Sequence, residues 1–416
     1  MADEFEITIT DIAPDGKGIG YYQGDTVLVP YTIPGESLRA RTVRRQADDS
    51  ILAHGITLLA ASGDRITPRC PFFGPGRCGG CQWQHIDYPA QLALKTDIVA
   101  SALQEATGIK DVPIEMALAS PESWAYNVSA DFVPTDEGRL GFPATNPENT
   151  IAIDECHIIK PEIMGLVADL DLSLDTLTKL QAQVNSWGRR MLVLQTADET
   201  PPELEISIPA SLNFLLGYQE PFNLIGATHI THRIHGRDFR VTAGVSYRAN
   251  LPQVERLVEL IVSLVEPTAE QMVFDLYGGI GTFSAFIAPQ VSHVTYVDSY
   301  PPAATDAEFN LADLDNVDII EGRTDAVLGA LVEAGEWPEY YAAILDPTQG
   351  LTFKLLQLLK TLQIPVLIYV SDDPDQLAQD AKYLIKQAGY WLDAVHPIDF
   401  APQTAHITSV VAFRKQ

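Results

Sequence analysis

The chain has 416 residues, of which 46% are hydrophobic and 20% are charged, so we expect a globular protein of two or three domains. No apolar run approaches the roughly 20 residues that a membrane span needs, which argues against a membrane protein. The net charge of −28 argues against a surface built mainly for phosphate contacts. The start MADEFEITIT has neither the basic nor the apolar region of a signal peptide, so the sequence favours a cytoplasmic protein.

Residues 1–60 predict a small β-barrel. The segments EFEITITDIA, PDGKGIGYY, DTVLVPYTI and LRARTVRRQ are rich in Val, Ile, Thr and Tyr and are separated by Gly and Pro. Their order resembles the TRAM domain, an OB-like RNA-binding module of RNA-modifying enzymes. A small barrel without that role is the alternative. The densest basic cluster, which either contacts RNA or belongs to a solvated strand, consists of Arg39, Arg41, Arg44 and Arg45.

Residues 61–235 predict a mixed α+β domain that opens with a cysteine-rich loop. Cys70, Cys78 and Cys81 lie close together in the sequence, and Cys156 is the one remaining cysteine of the chain. In a cytoplasmic protein, clustered cysteines bind metal more often than they form disulfides. Three close cysteines with a distant fourth favour an iron–sulfur cluster, and zinc is the alternative.

The residues around this loop carry a family resemblance. The segment CGGCQWQHIDYPAQLALK resembles the cluster-binding segment of the bacterial RNA uracil-C5 methyltransferases, in which four cysteines hold [4Fe–4S]. The resemblance implies that Cys70, Cys78, Cys81 and Cys156 bind such a cluster, with a role in structure or in RNA placement. The end of this segment and the residues after it predict a helix over about 88–107.

Residues 236–416 predict a Rossmann-like α/β domain with a doubly wound, mostly parallel sheet. The apolar strand candidates MVFDLY, HVTYVD, VDIIEG, YAAILD and PVLIYV alternate with helical stretches. The first of them runs into the glycine-rich turn YGGIG at 277–281, which precedes a helix. Such a turn lets a ligand approach the backbone at a helix N-terminus, although dinucleotide sites look similar.

The stretch DLYGGIGTF resembles the first cofactor motif of the same family, whose members have a class I S-adenosylmethionine-dependent methyltransferase domain. The residues that the resemblance implies for cofactor binding are Arg248, Tyr277, Gly279, Gly281, Asp298 and Asp346. Asp298 is expected to accept hydrogen bonds from ribose hydroxyls, and Arg248 takes the place of a glutamine of the family. A Rossmann-like domain that has lost its ligand is the alternative.

The residues expected to carry out the chemistry are replaced. Family members add a cysteine thiolate to C6 of uracil, and a glutamate later removes the C5 proton. In this chain Asp372 stands at the cysteine position, and Thr408 stands at the glutamate position two residues after His406, which is retained. An acid at 372 or 373 can instead act as a general base for another acceptor, or Asp373 can cap the helix that begins at Pro374.

Three functions stay open on this basis. The first, which we favour, is a divergent homologue of the rRNA or tRNA enzymes that no longer forms 5-methyluridine. The second is an active methyltransferase on another acceptor, and the third is a non-catalytic iron–sulfur protein that binds RNA or protein. RNA is the expected partner by resemblance, weakened by the negative charge and by YNVS at 126–129 in place of the family's Y-R-N-K. We expect a monomer.

Overall fold

An N-terminal closed barrel begins the fold. The computed structural model describes residues 4–198, 200–207, 209–217, 221–335 and 337–415. The barrel strands, which neighbour one another in the order β1-β2-β3-β5-β4, are β1 (Glu4–Ile12), β2 (Gly18–Tyr22), β3 (Asp25–Val29), β4 (Ser37–Arg45) and β5 (Ile51–Ala60). Along β1 the apolar side chains Phe5, Ile7 and Ile9 alternate with exposed residues and are buried inside the barrel. The predicted barrel is therefore present, and residues 1–3 lie outside the described residues.

A long helix, α1 (Tyr88–Thr107), follows the cysteine loop and has the predicted bounds. Gly108 ends it in the left-handed conformation, with φ of +80°. The helix packs mainly against the helix Pro374–Lys386 near the C-terminus. On its buried side Lys95 pairs with Asp399 at 2.6 Å, and neither side chain is exposed to solvent. This contact ties the segment that follows the cysteine loop to the C-terminal sheet.

The middle of the chain forms a seven-stranded sheet with one helix on it. The elements of this part of the chain are β6 (Ser129–Pro134), β7 (Leu140–Pro143), β8 (Thr150–Ala152), α2 (Pro161–Ala168), β9 (Leu170–Leu172), β10 (Leu177–Val184), β11 (Arg190–Thr196), β12 (Leu204–Ile206), β13 (Ser211–Leu215) and β14 (Phe222–Ile225). The sheet order is β14-β13-β11-β10-β6-β7-β8, and β12 pairs separately with β9. Phe132, Leu180 and Phe214 of the sheet pack with Ile163 of α2 in one core. The expected α+β character is present.

A hairpin and a second seven-stranded sheet complete the fold. The hairpin consists of β15 (His229–Ile234) and β16 (Arg237–Thr242). The remaining elements are α3 (Leu251–Val265), β17 (Met272–Leu276), α4 (Thr282–Ile287), a 3₁₀ turn (Ala288–Gln290), β18 (His293–Asp298), α5 (Pro301–Asn310), β19 (Val317–Glu321), α6 (Thr324–Ala334), β20 (Tyr340–Leu345), α7 (Phe353–Leu362), β21 (Val366–Ser371), α8 (Pro374–Lys386), β22 (Trp391–Ile398) and β23 (Thr408–Arg414). Glu336 and Gln416 of this predicted domain lie outside the described residues.

The second sheet places the predicted site residues at one edge. Its order is β19-β18-β17-β20-β21-β23-β22, with β17 to β21 parallel to one another and β23 antiparallel to both of its neighbours, β21 and β22. The prediction of a mostly parallel, doubly wound sheet is confirmed. Because parallel strands end at the same edge, the glycine turn, Asp298, Asp346 and Asp372 all lie at the carboxyl edge of this sheet. None of the described helices is both long and apolar enough to cross a membrane.

Candidate active centre and cysteine cavity

The glycine-rich turn after β17 has the backbone geometry of a ligand-binding turn. Gly279 and Gly281 have φ of +56° and +81°, and Tyr277 also adopts a positive φ, of +63°. The turn leads into α4. The carboxylate of Asp298, at the end of the neighbouring strand, accepts a hydrogen bond from the Gly279 amide at 2.9 Å. Four of the six residues predicted for cofactor binding thus lie in or directly beside one turn.

Gly278 of this turn is packed too tightly to carry a side chain. A Cβ atom there would lie 2.4 Å from the ring of Tyr296. The Tyr296 hydroxyl donates a hydrogen bond to the Gly279 carbonyl, so the ring also supports the turn from below. The aromatic ring of Tyr296 takes up the space that a side chain at 278 would need. The turn therefore requires glycine at 278 for packing as well as at 279 and 281 for backbone conformation.

Asp275, which precedes the turn on β17, is a buried carboxyl group. Its Oδ2 accepts hydrogen bonds from the amide and the hydroxyl of Ser284, at 3.0 and 2.6 Å. Burial raises the pKa of Asp275 to about 6, and the Ser284 hydrogen bonds oppose that rise. These contacts fix the first turn of α4 relative to the strand, so Asp275 positions the glycine turn from behind.

Four residues predicted separately from the sequence form one hydrogen-bonded network. The Arg248 guanidinium donates to Asp346 Oδ1 at 2.8 Å and to Asp372 Oδ1 at 3.0 Å. The Thr408 hydroxyl donates to the same oxygen of Asp372 at 2.5 Å. The residue at the glutamine position, the residue at the nucleophile position and the residue at the general-base position are therefore in direct contact. Arg248 occupies the centre of this group.

The electrostatics of the network favour an ionised arginine. Burial lowers the pKa of Arg248, but the carboxylates of Asp346 and Asp372 more than compensate and leave it raised. Burial raises the pKa of Asp346, and the adjacent Arg248 counteracts part of that rise. The side chains of Arg248 and Asp346 are 21% and 23% exposed, whereas that of Asp372 is 65% exposed. The Arg248–Asp346 pair is thus the more sheltered half of the network.

A cavity of about 310 Å³ opens beside this network. His406 lines it together with Asp372 and Thr408, so all three residues predicted at the catalytic positions face one space. Burial lowers the pKa of His406, the nearby Lys95 lowers it further, and Asp372 opposes the shift. His406 is therefore expected to be a neutral imidazole near pH 7, able to donate one hydrogen bond and to accept another.

Two further residues of this cavity are not singled out by the sequence. Asn250 is 1% exposed, and its side-chain amide donates to Ser120 and to the Phe400 carbonyl while its Oδ1 atom is buried without a partner. Phe400 lies under the Arg248 guanidinium, 5.0 Å from it. Asn250 follows the predicted site residue Arg248 by only two positions, which was a usable signal. Phe400 has no comparable signal, because only the fold brings its loop here.

Asp373 is fully used by the helix that follows it. Its Oδ1 accepts hydrogen bonds from the backbone amides of Asp375 and Gln376, at 2.9 and 3.0 Å. It is the N-cap of α8, and Pro374 occupies the first turn. The capping interpretation of Asp373 is therefore confirmed. Asp372 alone remains as an acid that faces the cavity.

The four cysteines line a second cavity of about 200 Å³ between the cysteine loop and β6. The four side chains are those of Cys70, Cys78, Cys81 and Cys156. Burial raises the pKa of Cys81 to about 12, and the charges of the other three thiols raise it too. Cys70 and Cys156, which are 86 positions apart in the chain, thus line the same cavity, as the resemblance implies.

The backbone of the loop is shaped around this cavity. A Cβ atom on Gly79 would lie 2.8 Å from the Ala144 carbonyl oxygen, so only glycine allows the loop to pass so close to that strand end. The Gly80 amide points at Cys78 Sγ at 3.4 Å, and Gln84 accepts from the Cys70 amide. Among the described residues, no three Cys, His, Asp or Glu side chains are grouped closely enough to hold a single metal ion. This finding favours neither of the two predicted groups, zinc or an iron–sulfur cluster, over the other.

The basic cluster of the barrel is largely neutralised by its neighbours. Arg39, Arg41 and Arg45 each contact an acidic side chain of the barrel, at 3.6, 2.5 and 2.6 Å. The acids are Glu6, Glu4 and Asp25. Because these pairs are exposed, each is worth only about 0–1 kcal/mol, and a phosphate can compete for the arginines. Arg39, Arg41 and Arg45 can serve as RNA contacts only by giving up these pairs.

The fold and the glycine turn define a Rossmann-like domain with a nucleotide-type cofactor site, joined to a small barrel and a cysteine-bearing middle unit. No family model matches the chain. An RNA methyltransferase of Halalkalibacterium halodurans, itself uncharacterised, is 30% identical and matches 98% of this chain and 96% of its own length. An uncharacterised RNA methyltransferase of Streptomyces coelicolor is 29% identical over 99% of this chain and 92% of its own. The chain therefore belongs to this family of RNA methyltransferases.

A solved structure covers the same extent. The crystal structure of Pyrococcus abyssi tRNA (uracil-54, C5)-methyltransferase in complex with S-adenosyl-L-homocysteine has a TM-score of 0.75. The match includes 98% of this chain and 99% of that chain, at 21% identity. At this identity the likeness concerns the fold, and it extends from the barrel through the second sheet. The family resemblance seen in the sequence is thus confirmed over the whole chain.

Proposed function

We propose that this chain binds S-adenosylmethionine and RNA, and that its reaction centre does not form 5-methyluridine by the covalent route of its relatives. The observation that carries this proposal is the contact of Arg248 with both Asp346 and Asp372. A cation and two carboxylates occupy the place where the family has a thiol, a glutamine and a free acid. Membership in the family and the uracil-C5 enzyme fold supply the expected activity class.

The cofactor half of the proposal rests on the glycine turn. Gly279 and Gly281 keep the backbone open for a ligand at the N-terminus of α4, and Asp298 lies beside it. A solved structure of the same fold contains S-adenosyl-L-homocysteine. Bound S-adenosylmethionine would supply an electrophilic methyl group. Arg248 and Asp346 would stand at the reaction-centre end of that ligand, and Tyr277, Gly279, Gly281 and Asp298 would hold the remainder.

The chemical half rests on the difference between an acid and a thiol. Addition to C6 of uracil requires a soft nucleophile that can also leave, and a carboxylate oxygen is a hard one. Asp372 Oδ1 already accepts hydrogen bonds from Arg248 and Thr408, which ties up its lone pairs. Thr408 cannot take a proton from C5 near neutral pH, since a hydroxyl is not a base there. The four cysteines of the chain lie in the other cavity.

A second candidate function is methyl transfer to a different acceptor atom, with Asp372 as general base. One observation favours it: the Asp372 carboxylate faces a cavity that also contains the side chains of Asn127 and His406. Transfer to a ring nitrogen or to a hydroxyl needs only a base and no covalent step. Asp373 is a weaker choice for that base because it caps α8. The third alternative, a non-catalytic iron–sulfur protein without the cofactor, would leave the glycine turn without a ligand.

We further propose that the cysteine cavity holds a [4Fe–4S] cluster. The donor set fits this group, since four thiols and no other cysteines converge on one cavity that backbone amides and Gln84 also face. Burial raises the pKa of Cys156 to about 11 and that of Cys81 to about 12, so these thiols need a bound cation to become thiolate ligands. The bound cluster would supply a cross-link between the cysteine loop and the segment around Cys156.

RNA remains the proposed partner, and rRNA or tRNA the proposed substrate class by family. The acidic total of −28 predicts weak non-specific binding, with whatever affinity exists coming from local contacts. The proposed site of action is the cytoplasm, where such RNA is made, and the proposed state is a monomer. The TRAM identity of the barrel belongs to the same proposal.

Calorimetric titration of protein purified without air tests the cofactor half directly. The proposal predicts binding of S-adenosylmethionine with a dissociation constant in the micromolar range. A matched variant, Asp298→Ala, should bind more weakly, whereas Asp318→Ala on the neighbouring strand should bind like the wild type. Absence of binding in protein that carries its cluster would favour the third alternative. Methyl transfer from labelled cofactor to any RNA would favour the second.

A further inference from the structure

A third cavity, of about 270 Å³, lies between the middle sheet and the β15–β16 hairpin. Its walls come from β6, from β10, from the hairpin and from residues 245–249, which lead to the reaction centre. Arg248 and Ala249 line both this cavity and the one beside Asp372. A ligand here would therefore be a direct neighbour of whatever the reaction centre binds. The volume is near the lower end of the range of about 300–1,000 Å³ for ligand sites.

Two buried polar side chains in this cavity lack partners. Gln183 is 5% exposed and its Oε1 atom has no hydrogen-bond partner, and His232 is 3% exposed with an unpartnered Nδ1. Buried polar atoms are normally hydrogen-bonded, because an unpaired one costs about 1–3 kcal/mol. Gln183 and His232 both line this cavity, and two unpaired groups in its wall point to a ligand that supplies the missing hydrogen bonds.

A chain of hydrogen bonds determines which end of Gln183 is free. Asp131, whose carboxylate can only accept, receives a hydrogen bond from the Gln181 amide nitrogen at 3.0 Å. The remaining oxygen of Gln181 then receives one from Gln183 Nε2 at 2.6 Å. The free atom of Gln183 is consequently its oxygen, an acceptor, and the chain of donors behind it strengthens it as an acceptor. The ligand must present an N–H or O–H donor to this point.

The other walls select a flat and uncharged ligand. The His232 ring stacks on Tyr247, with centroids 6.0 Å apart and planes inclined by 10°. Burial lowers the pKa of His232 to about 4, so the imidazole is neutral at physiological pH. Lys179 is paired with Asp131 at 2.6 Å, and Arg248 is already engaged by two carboxylates. A phosphate group therefore has no free cation here, whereas an aromatic ring with N–H donors and ring nitrogens matches the neutral hydrogen-bonding groups.

We propose that this cavity binds a second nucleobase of the RNA, next to the one at the reaction centre, through an N–H donor to Gln183 Oε1 and a hydrogen bond with His232. This inference rests on the proposed RNA binding and adds a base-reading element to it. β6 separates this cavity from the cysteine cavity, since Ser129, Ala130 and Asp131 line both. An intact cysteine cavity would thus hold one wall of the nucleobase site in place.

The test measures binding of labelled single-stranded hexamers of adenosine, cytidine or uridine to the full chain. Gln183→Leu removes the acceptor at similar volume, and Gln195→Leu on the adjacent strand is the matched control, since Gln195 does not line the cavity. We expect at least one hexamer to bind Gln183→Leu about tenfold more weakly than it binds the wild type. Its affinity for Gln195→Leu should equal that for the wild type. No binding of any hexamer, or equal affinities for wild type and Gln183→Leu, would overturn the inference.

A second arm separates recognition from structural damage. The discriminated base is replaced by its N-methylated form that lacks the donor: N6,N6-dimethyladenosine, N4,N4-dimethylcytidine or 3-methyluridine. The wild type should bind the methylated hexamer about tenfold more weakly, and Gln183→Leu should bind it no more weakly than the unmethylated one. If the effects of the mutation and of the methylation on affinity multiply, Gln183 does not contact the base directly. Titration with S-adenosylmethionine and binding of a long folded RNA, run on the same samples, report on the proposed function. If both persist while the hexamer effects are absent, only the nucleobase site fails.

Discussion

Replacing Arg248 by glutamine, the residue that the family carries, should destabilise the protein in a manner that depends on pH. The guanidinium stands between Asp346 and Asp372, at 2.8 and 3.0 Å. Asp372 is 65% exposed, so its pairing with Arg248 is worth about 0–1 kcal/mol. The pairing with Asp346 is sheltered and charge-assisted, and is worth about 1.5–3 kcal/mol. We therefore expect Arg248→Gln to cost about 2–4 kcal/mol at pH 7.

The sign of the pH effect follows from Asp346. Burial already raises the pKa of Asp346, and Arg248 holds that rise in check. In Arg248→Gln the pKa of the folded state rises further above that of the unfolded chain, so the folded variant takes up a proton at higher pH than the unfolded one. Acidification therefore stabilises the variant relative to the wild type. The difference in stability should be largest near pH 8 and should narrow towards pH 5.

Thermal unfolding of wild type and variants between pH 5 and pH 8 measures this difference. For a unit of this size, about 1 kcal/mol corresponds to about 2–4 °C, so the midpoint at pH 7 should fall by roughly 4–16 °C. The matched control Asp372→Asn removes only the exposed partner and should change the midpoint by about 4 °C or less. A difference that widens on acidification, or equal effects of the two variants, would refute the assignment of Asp346 as the main partner.

Three other predictions concern separate parts of the molecule. Cys81→Ser should abolish the brown colour and bound iron of protein purified without air, whereas Ser101→Ala should keep both; zinc in place of iron in the wild type would sink the cluster assignment. Lys95→Met should lower the free energy of unfolding by about 3–5 kcal/mol, because it leaves Asp399 buried without its cation. The control Lys160→Met, whose partner Glu122 is exposed, should lower it by about 0–1 kcal/mol. Equal midpoints in thermal unfolding would show that the buried pair is dispensable. Asp275→Asn should alter the pH dependence of stability, because burial raises the pKa of Asp275 to about 6 from an unfolded value of about 3.9. Between these two pH values the folded wild type binds a proton that the unfolded chain has lost, so its free energy of unfolding falls by up to about 3 kcal/mol as the pH rises from 4 to 6. Denaturation curves of the variant should lack that fall.

Much of the fold could be predicted from local sequence patterns. The bounds of α1 follow from a run that starts at Tyr88-Pro89 and continues to Gly108 without another helix breaker. The strands of the second sheet follow from short apolar runs followed by Asp or Gly. The glycine turn and the four cysteines are likewise local signals. The packing of α1 on the C-terminal part of the chain could not be predicted, since contacts such as the buried Lys95–Asp399 pair join residues 304 positions apart.

The candidate site could be predicted residue by residue but not as an arrangement. The family resemblance identified Arg248, Asp372 and Thr408 as altered positions and Asp346 as a retained one. Nothing in the sequence indicates that Arg248 contacts Asp372, 124 positions away. The cavity beside Gln183 has no sequence signal either. The alternation of a strand shows only which face Gln183 shares with Gln181, whereas the opposite wall is supplied by the hairpin residue His232. Its detection requires the hydrogen bonds that only the folded chain defines.

The proposal that the reaction centre cannot form 5-methyluridine is tested most directly by incubating the cluster-bearing protein with methyl-labelled S-adenosylmethionine and unmodified rRNA and tRNA transcripts, followed by nucleoside analysis. The triple variant Arg248→Gln, Asp372→Cys, Thr408→Glu, measured in parallel, restores the family's residues and shows whether only the chemistry has been lost. We predict no 5-methyluridine from the wild type. Labelled 5-methyluridine formed by the wild type, and abolished by Asp372→Asn, would contradict this conclusion and show that a carboxylate can replace the thiolate.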